Sequence, residues 1–495
     1  MSAVRRYYHA NFKLNQRNSS GGRSERSQAS PGGLPKSWFG TVTVGKEPIV
    51  ESAIFKEHLA ENYRSICDRV IFTTRLPAVA KNLNLQNALL LVLPKLAAFN
   101  REMFAARYLT ETVAFMDRLL GEKNRYNAFV AIGLLALAIK GEIHNHLKHV
   151  LTQIKLSLPA KEQHGKKRNA SLDPAVFACI SMLARAVKTA IKPELTCMLE
   201  PMLSVGLSPS LTVALHELAV SVPSFKKDIA EGLLKILSQI LMQQPFRHPG
   251  TPKRLISPSH LLGGASNGVS SLPEIPDTAS VVLGLRTLGS FDFEGHSLLQ
   301  FVRHSADNYL HSEEKPIRLE AVKTCSQLLK NALTVRRGQR TSPTVQSTVN
   351  DVLSKLLIVG ITDQDADVRS CVMDCLDPCF DFHLAQAENL SALFVAMNDE
   401  IFEIREQTIC IIGRLCILNP AYIMPSLRKT LIQLLTEMEF SGVGRNKEQS
   451  ARMLGHLVAN APGLIKPYVE PILKVLIPKL KETDLNPMVV TSVLR

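Results

Sequence analysis

The stretch Arg405-Glu-Gln-Thr-Ile-Cys-Ile-Ile-Gly413-Arg-Leu415 returns 42 residues later as Lys447-Glu-Gln-Ser-Ala-Arg-Met-Leu-Gly455-His-Leu457. The echo runs on past the apolar segment: Pro420, Ile423 and Pro425 fall on Pro462, Ile465 and Pro467. A fainter copy lies upstream in Arg125-Tyr-Asn-Ala-Phe-Val-Ala-Ile-Gly133-Leu-Leu135, whose basic residue again stands eight positions before its glycine. A period of roughly 40 residues with helical patterning is the mark of stacked helix pairs. Such a stack grows by adding units instead of closing new cores, so length no longer counts domains. The periodicity predicts an all-α solenoid, a superhelix of roughly ten antiparallel helix pairs.

Composition agrees with an aliphatic stack. Hydrophobic residues make up 45% of the 495, but aromatics only 6%. The longest purely apolar run, Phe129 to Ile139, is far short of the roughly 20 residues that cross a bilayer, so no transmembrane segment is expected. The nine cysteines are an odd number set mostly in apolar helical patterns, as at Cys179, Cys325 and Cys410. They read as reduced core residues. Of the +14 net charge, a large part sits in the first 45 residues, with seven Lys/Arg against the single acid Glu25. Elsewhere the basic residues are scattered and form no stripe of the kind that nucleic acid requires. No direct nucleic-acid partner is expected.

Four regions follow along the chain. Residues 1–50 read as a disordered basic tail, with no secretory signal and a Gly/Ser composition that suits an import sequence poorly. Residues 51–242 form a first part of the solenoid, with helices through Leu85–Leu96, Tyr108–Leu120 and Asn127–Ile139. Residues 243–277, with six Pro and four Gly from Gln243 to Asp277, are a long loop. Residues 278–495 form the second part, with a further loop from Arg336 to Ser347. Asp173-Pro174, Ser208-Pro209 and Asn486-Pro487 are helix starts, each a capping oxygen followed by a proline that needs no amide partner. The chain stops inside its last repeat, as a fragment or a truncated form does.

Arg369, Arg405 and Lys447 occupy matching positions, 36 and 42 residues apart. The turn before the first of them carries Asp363, Asp365 and Asp367. These carboxylates suit the positive end of the helix dipole and its free amides. Stacked repeats would set each basic residue against a neighbour's acidic turn, giving a charge ladder; independent solvated charges, worth about 0–1 kcal/mol each, are the alternative. Gly133, Gly413 and Gly455 are positions for close helix approach.

Groups with catalytic or metal-binding patterns fall short on inspection. Cys371, Cys375, Cys379 and His383 recur every four residues, but a tetrahedral zinc site needs ligands converging from several directions, and Pro378 interrupts the helix. His144, His146 and His149 lie in one helix without a paired carboxylate or cysteine and read as surface histidines. After His216-Glu217, position 220 is Val where a second histidine ligand would stand. Gly442-Val-Gly444-Arg follows no strand and reads as a turn between helices. Ser171 and Ser342 sit in basic loops of a kind that kinases phosphorylate. No His-Arg-Asp, Asp-Phe-Gly or Walker lysine occurs. No catalytic, metal-binding or cofactor-binding residue is assigned, and no cofactor is expected.

Longer runs carry a resemblance. Leu199-Glu-Pro-Met-Leu-Ser-Val-Gly-Leu-Ser-Pro209, Leu288-Gly-Ser-Phe-Asp-Phe-Glu-Gly-His296, His383-Leu-Ala-Gln-Ala-Glu-Asn-Leu390 and Lys447 through Val458 closely resemble the N-terminal HEAT-repeat region of the target of rapamycin (TOR) kinase family. The resemblance spans roughly residues 40–495 and leaves residues 1–37 unmatched. It implies giant serine/threonine kinases, with the HEAT solenoid preceding the catalytic regions, that work as dimeric complexes in nutrient and growth-factor signalling. There the solenoid helps dock the companion protein raptor and packs against a second protomer. It also implies a cytoplasmic location with peripheral association to lysosomal or other endomembranes, and the nucleus as a further compartment. For this chain the implied role is a non-catalytic scaffold. An independent adaptor of karyopherin type that binds protein cargo is the alternative.

Overall fold

The computed structural model describes residues 53–121, 124–158, 174–244, 277–294, 296–334, 342–480 and 487–494. The basic tail, the Pro/Gly-rich loop centred on 245–276, Ser171 and the capping residues Asp173 and Asn486 lie outside these. Two compact units are present, Met1–Asp68 and Arg69–Arg495. Of the first, only part of helix α1 (Ala53–Thr74) is described; all that follows belongs to the second.

Helices α2 (Leu83–Phe99) and α3 (Arg101–Arg107) lead into a two-layer stack. Even-numbered helices form one layer: α4 (Leu109–Leu120), α6 (His144–Ser157), α8 (Lys192–Ser204), α10 (Lys226–Met242), α12 (Leu299–Asn308), α14 (Pro343–Thr362), α16 (Ala387–Ala396), α18 (Pro420–Phe440) and α20 (Val469–Lys479). Odd-numbered helices form the other: α5 (Arg125–Ile139), α7 (Pro174–Val187), α9 (Pro209–Ser221), α11 (Thr278–Ser290), α13 (Lys315–Thr334), α15 (Ala366–Cys375), α17 (Phe402–Leu415), α19 (Gly444–Asn460) and α21 (Pro487–Leu494). Successive odd helices pack on one another, as do successive even ones apart from α10 and α12, and most even helices, α8 and α20 excepted, also pack on the odd helix that follows. The step from α9 to α11 differs, because there the main link runs through α10. The result is the all-α, HEAT-type solenoid that the repeats foretell.

Odd helices such as α5 and α17 are apolar around most of their circumference because they meet a neighbour on each side and an even helix behind. Helix α17 buries Phe402, Ile404, Ile409, Ile411, Ile412 and Leu415 on such faces. At Ser208 the capping oxygen accepts the Leu211 amide at 3.2 Å, with Pro209 in the first turn. The loop expected from Arg336 to Ser347 is shorter than its composition suggests. Ser342 caps the Val345 amide, Pro343 opens α14, and the helix starts there.

Two continuous helical stretches, Arg125–Ser157 and Pro174–Ser204, are long and apolar enough to cross a membrane, and about half of the 18-residue apolar window in each, 50% and 56%, is buried inside the protein. Each contains two helices, because the chain turns between them at Lys140 (φ 53°) and Lys188 (φ 55°). A side chain held at positive φ costs about 1 kcal/mol or more, which glycine escapes at some entropic expense. Lys188→Gly is therefore expected to raise stability by about 0.5–1 kcal/mol. A urea midpoint that falls instead would show that the corner is not strained.

Candidate functional site

The ionic groups between repeats converge on the turns that join even to odd helices. Arg369, in the first turn of α15, is 7% exposed. Its Nη1 donates to the carbonyls of Asp363 and Gln364 in its own turn, at 2.8 and 3.4 Å. Its Nε and Nη2 donate to both carboxylate oxygens of Asp399 in the next turn, at 2.7 and 3.1 Å, and Nη2 also reaches Glu400 at 3.0 Å. Arg405 repeats the inward half: Nη1 donates to the carbonyls of Asp399 and Glu400 at 2.6 and 3.3 Å. Its outward half meets an amide, Gln449 Oε1 at 2.9 Å.

Arg318 is a third arginine of the series, one that the 36- and 42-residue spacing does not mark. Arg318 donates to the carbonyls of Ser312 and Glu313 at 2.9 and 3.0 Å, and across the step to Asp363 at 2.8 and 3.2 Å and Asp365 at 2.5 Å. In all three cases the arginine holds the carbonyls six and five residues before it, so the signal was an arginine six residues into the turn. Asp363…Arg369 and Asp399…Arg405 show it plainly, whereas Ser312…Arg318 begins with a hydroxyl in place of the carboxylate.

Two sequence expectations are corrected at these turns. The carboxylates of Asp363, Asp365 and Asp367 do not cap α15; Asp365 stands at its N-cap without a side-chain capping bond. Arg318 takes Asp363 and Asp365, and Lys315 takes Asp367 at 2.6 Å, while Asp363 also accepts the Asp365 amide at 2.9 Å. Lys447 lies half-buried at the start of α19 and makes no ion pair among the described residues. The turn before it, Ser441–Val443, carries no carboxylate, and Gln449 serves Arg405 in its place.

Glycine supplies close approach at two of the three expected positions. A Cβ on Gly133 would lie 2.4 Å from Met182 Cε, and one on Gly413 would lie 2.6 Å from Asn460 Cβ. Gly455 faces open space, with nothing within 4 Å of the same point.

Further ion pairs tie neighbouring repeats. Arg286 meets Glu320, Arg414 meets Asp381, and the buried Glu406 receives both Arg452 at 2.6 Å and His456 at 3.1 Å. His149 does find a carboxylate, Asp117 of α4 at 2.5 Å, a partner invisible from its own helix. His383 contacts Asn350 through Nδ1 at 2.5 Å, and burial holds its pKa below the usual histidine range. Among the described residues no group of three or more His, Cys, Asp or Glu is arranged to hold a metal ion.

Two of these carboxylates have a marked pH signature. Burial alone would raise Asp399, but the Arg369 guanidinium and the Ile401 amide hold it below the usual carboxylate range. The Lys330 ammonium, and after it the Cys379 amide, bring Asp377 down to about 2. A folded-state pKa below the unfolded value of about 3.9 gives stability that is complete above that value. For Asp377 it is lost as pH falls from about 4 through about 2. The urea midpoint of the wild type is expected to fall over that window, and Lys330→Ala to reduce the fall. Equal losses in both proteins would show that Lys330 does not hold the carboxylate.

Large apolar side chains stand exposed at several corners, two of them on neighbouring turns where odd helices lead into even ones. Phe382 is 79% and Ile417 85% exposed. They stand on adjacent corners, joined by the Arg414–Asp381 pair and by an Asn419 side-chain bond to the Ala385 carbonyl at 2.8 Å.

No family model matches the chain. It is 45% identical over 460 residues to the serine/threonine-protein kinase mTor of Drosophila melanogaster, covering 92% of this chain and 18% of that protein. It is 36% identical over 446 residues to tor1 of Schizosaccharomyces pombe (90% and 18%). With TOR of Arabidopsis thaliana it shares 33% over 416 residues (81% and 16%). The chain thus spans less than a fifth of the length of these relatives. Among solved structures, importin beta superposes with a TM-score of 0.52 at 11% identity, covering 87% of this chain and 58% of that one. Kap121p bound to Nup53p gives 0.50 at 13% identity, covering 87% and 45%. At these identities the likeness is one of fold.

Proposed function

The chain is homologous to TOR serine/threonine-protein kinases over about nine tenths of its length, and we propose that it acts as a non-catalytic HEAT-repeat scaffold for such a kinase. It helps assemble the kinase complex by docking a raptor-type companion and packing against a second protomer, in nutrient and growth-factor signalling. It works in the cytoplasm, at lysosomal or other endomembrane surfaces, and in the nucleus.

One contrast carries the scaffold reading. The buried ionic groups bind repeat to repeat, while Phe382 and Ile417 face solvent on adjacent corners. The inward charges fix the spacing of the corners, and exposed apolar side chains on rigid elements suit protein partners. A karyopherin-type adaptor has only the likeness of fold in its favour.

The test uses the purified chain with a purified raptor-type companion. Capture of the companion, weakened by Phe382→Asp and Ile417→Asp and accompanied by no phosphotransfer, is the expected result. Phosphotransfer above that of a contaminant control, or no capture of the companion, overturns it.

A further inference from the structure

Apart from the ladder, α15 carries two thiols one turn apart. Cys371 and Cys375 lie on one face of the helix, as residues four apart do, and both are half-buried. The neighbouring Cys375 thiol holds Cys371 below its ordinary range, while Cys371 and burial push Cys375 up. Lys323 of α13 favours the Cys371 thiolate, against the opposing charges of Asp374 and Glu320.

The two positions differ in freedom. Cys371 is inside the helix, whereas Cys375 is its last residue. The Cys375 carbonyl accepts the Ser326 hydroxyl at 2.7 Å and the Asp377 amide at 2.9 Å, and the chain leaves the helix towards Pro378. The second sulfur therefore adjusts to a shared centre at a helix end, without breaking the helix interior. Cys379 lies beyond that end, where burial and its contact with Asp377 push its thiol up to about 12.

We propose that Cys371 and Cys375 form a two-thiol site for a soft, thiophilic centre of the trivalent-arsenic class, bound through both sulfurs. Thiolates select soft centres, and two ligands on one helix face suit a bidentate centre where they fail a tetrahedral zinc ion. With an arylarsine oxide, the Cys371 thiolate attacks arsenic and the oxide oxygen takes a proton. The Cys375 thiol then displaces that oxygen as water. Two As–S bonds form, the As=O bond is lost, and both thiol protons leave in the one water, with no change of oxidation state.

The test treats the full chain with equimolar phenylarsine oxide, adds excess glutathione, and weighs the protein by mass spectrometry. A single arylarsine is expected to survive glutathione and to be removed by dimercaptopropanol. Cys371→Ser and Cys375→Ser each reduce the retained label by roughly tenfold or more, because the second thiol acts at high effective concentration. Cys379→Ser and Cys197→Ser leave it unchanged, and helical circular dichroism verifies the fold of each variant. Label that survives either of the first two substitutions, that glutathione strips from the wild type, or that disappears with Cys379→Ser overturns the proposal.

Discussion

Arg318→Ala is expected to destabilise the stack by about 3–5 kcal/mol, the range for removing one partner of a buried ion pair. The side chains of Arg318 and Asp363 are each only 6% exposed, so solvent does not replace the lost guanidinium. Asp363 is left buried with its charge unpaired, and the carbonyls of Ser312 and Glu313 lose a donor. Replacing both partners with apolar residues, as in Arg318→Met with Asp363→Leu, is expected to recover part of the loss, since no buried charge is then stranded. Lys315→Ala, which touches the solvent-facing Asp367, should leave the urea midpoint almost unchanged. Because repeats unfold as coupled neighbours, the cost is best read by hydrogen exchange on both sides of the turn. Unaltered protection in Arg318→Ala would mean that the pair contributes nothing to the joint between α13 and α15.

Gly413→Ala is expected to cost about 1–3 kcal/mol. The new methyl would meet the Asn460 Cβ at 2.6 Å and its backbone carbon at 3.5 Å, so main chain must move. Gly133→Ala should cost less, because the nearest obstacle, at 2.4 Å, is the far end of the flexible Met182 side chain, with its Cβ at 3.0 Å. Gly455→Ala should stabilise by about 0.5–1 kcal/mol, the ordinary gain of alanine over glycine inside a helix. Thermal melts of the three variants decide the matter. A Gly413→Ala protein as stable as the wild type would refute close approach at that position.

The sequence of the repeats carries the fold because the 42-residue echo repeats a pattern of burial along with residue types. It marks Arg369 and Arg405 for the same reason. What it does not carry lies across the stack. Gly413 and Gly455 are equivalent in sequence, and only the presence of Asn460 beside one of them distinguishes the two. The carboxylates of Asp363 and Asp365 look like caps because a capping rule weighs only the helix that follows, whereas their partner Arg318 lies 45 and 47 residues upstream. The His149–Asp117 pair is hidden in the same way, 32 residues apart. Arg318 was obscured by a turn that begins with Ser312, where the other two begin with aspartate.

The reduced contact between α9 and α11 has a mechanical consequence. In a column of stacked elements the compliances add in series, so thermal bending concentrates at the softest step. Elsewhere each odd helix lies against the next, but here α10 bridges the step. The links across it include the Lys226 pairs with Asp292 and Glu294, the two bonds that His304 and Tyr309 make to the Leu241 carbonyl, the edge-on contact of His216 with Phe291, and the seat of Gly284 against Leu241 and Ile240. With less direct odd-to-odd packing than its neighbours, this step is expected to be the most compliant of the column, with the repeats on either side as stiffer arms.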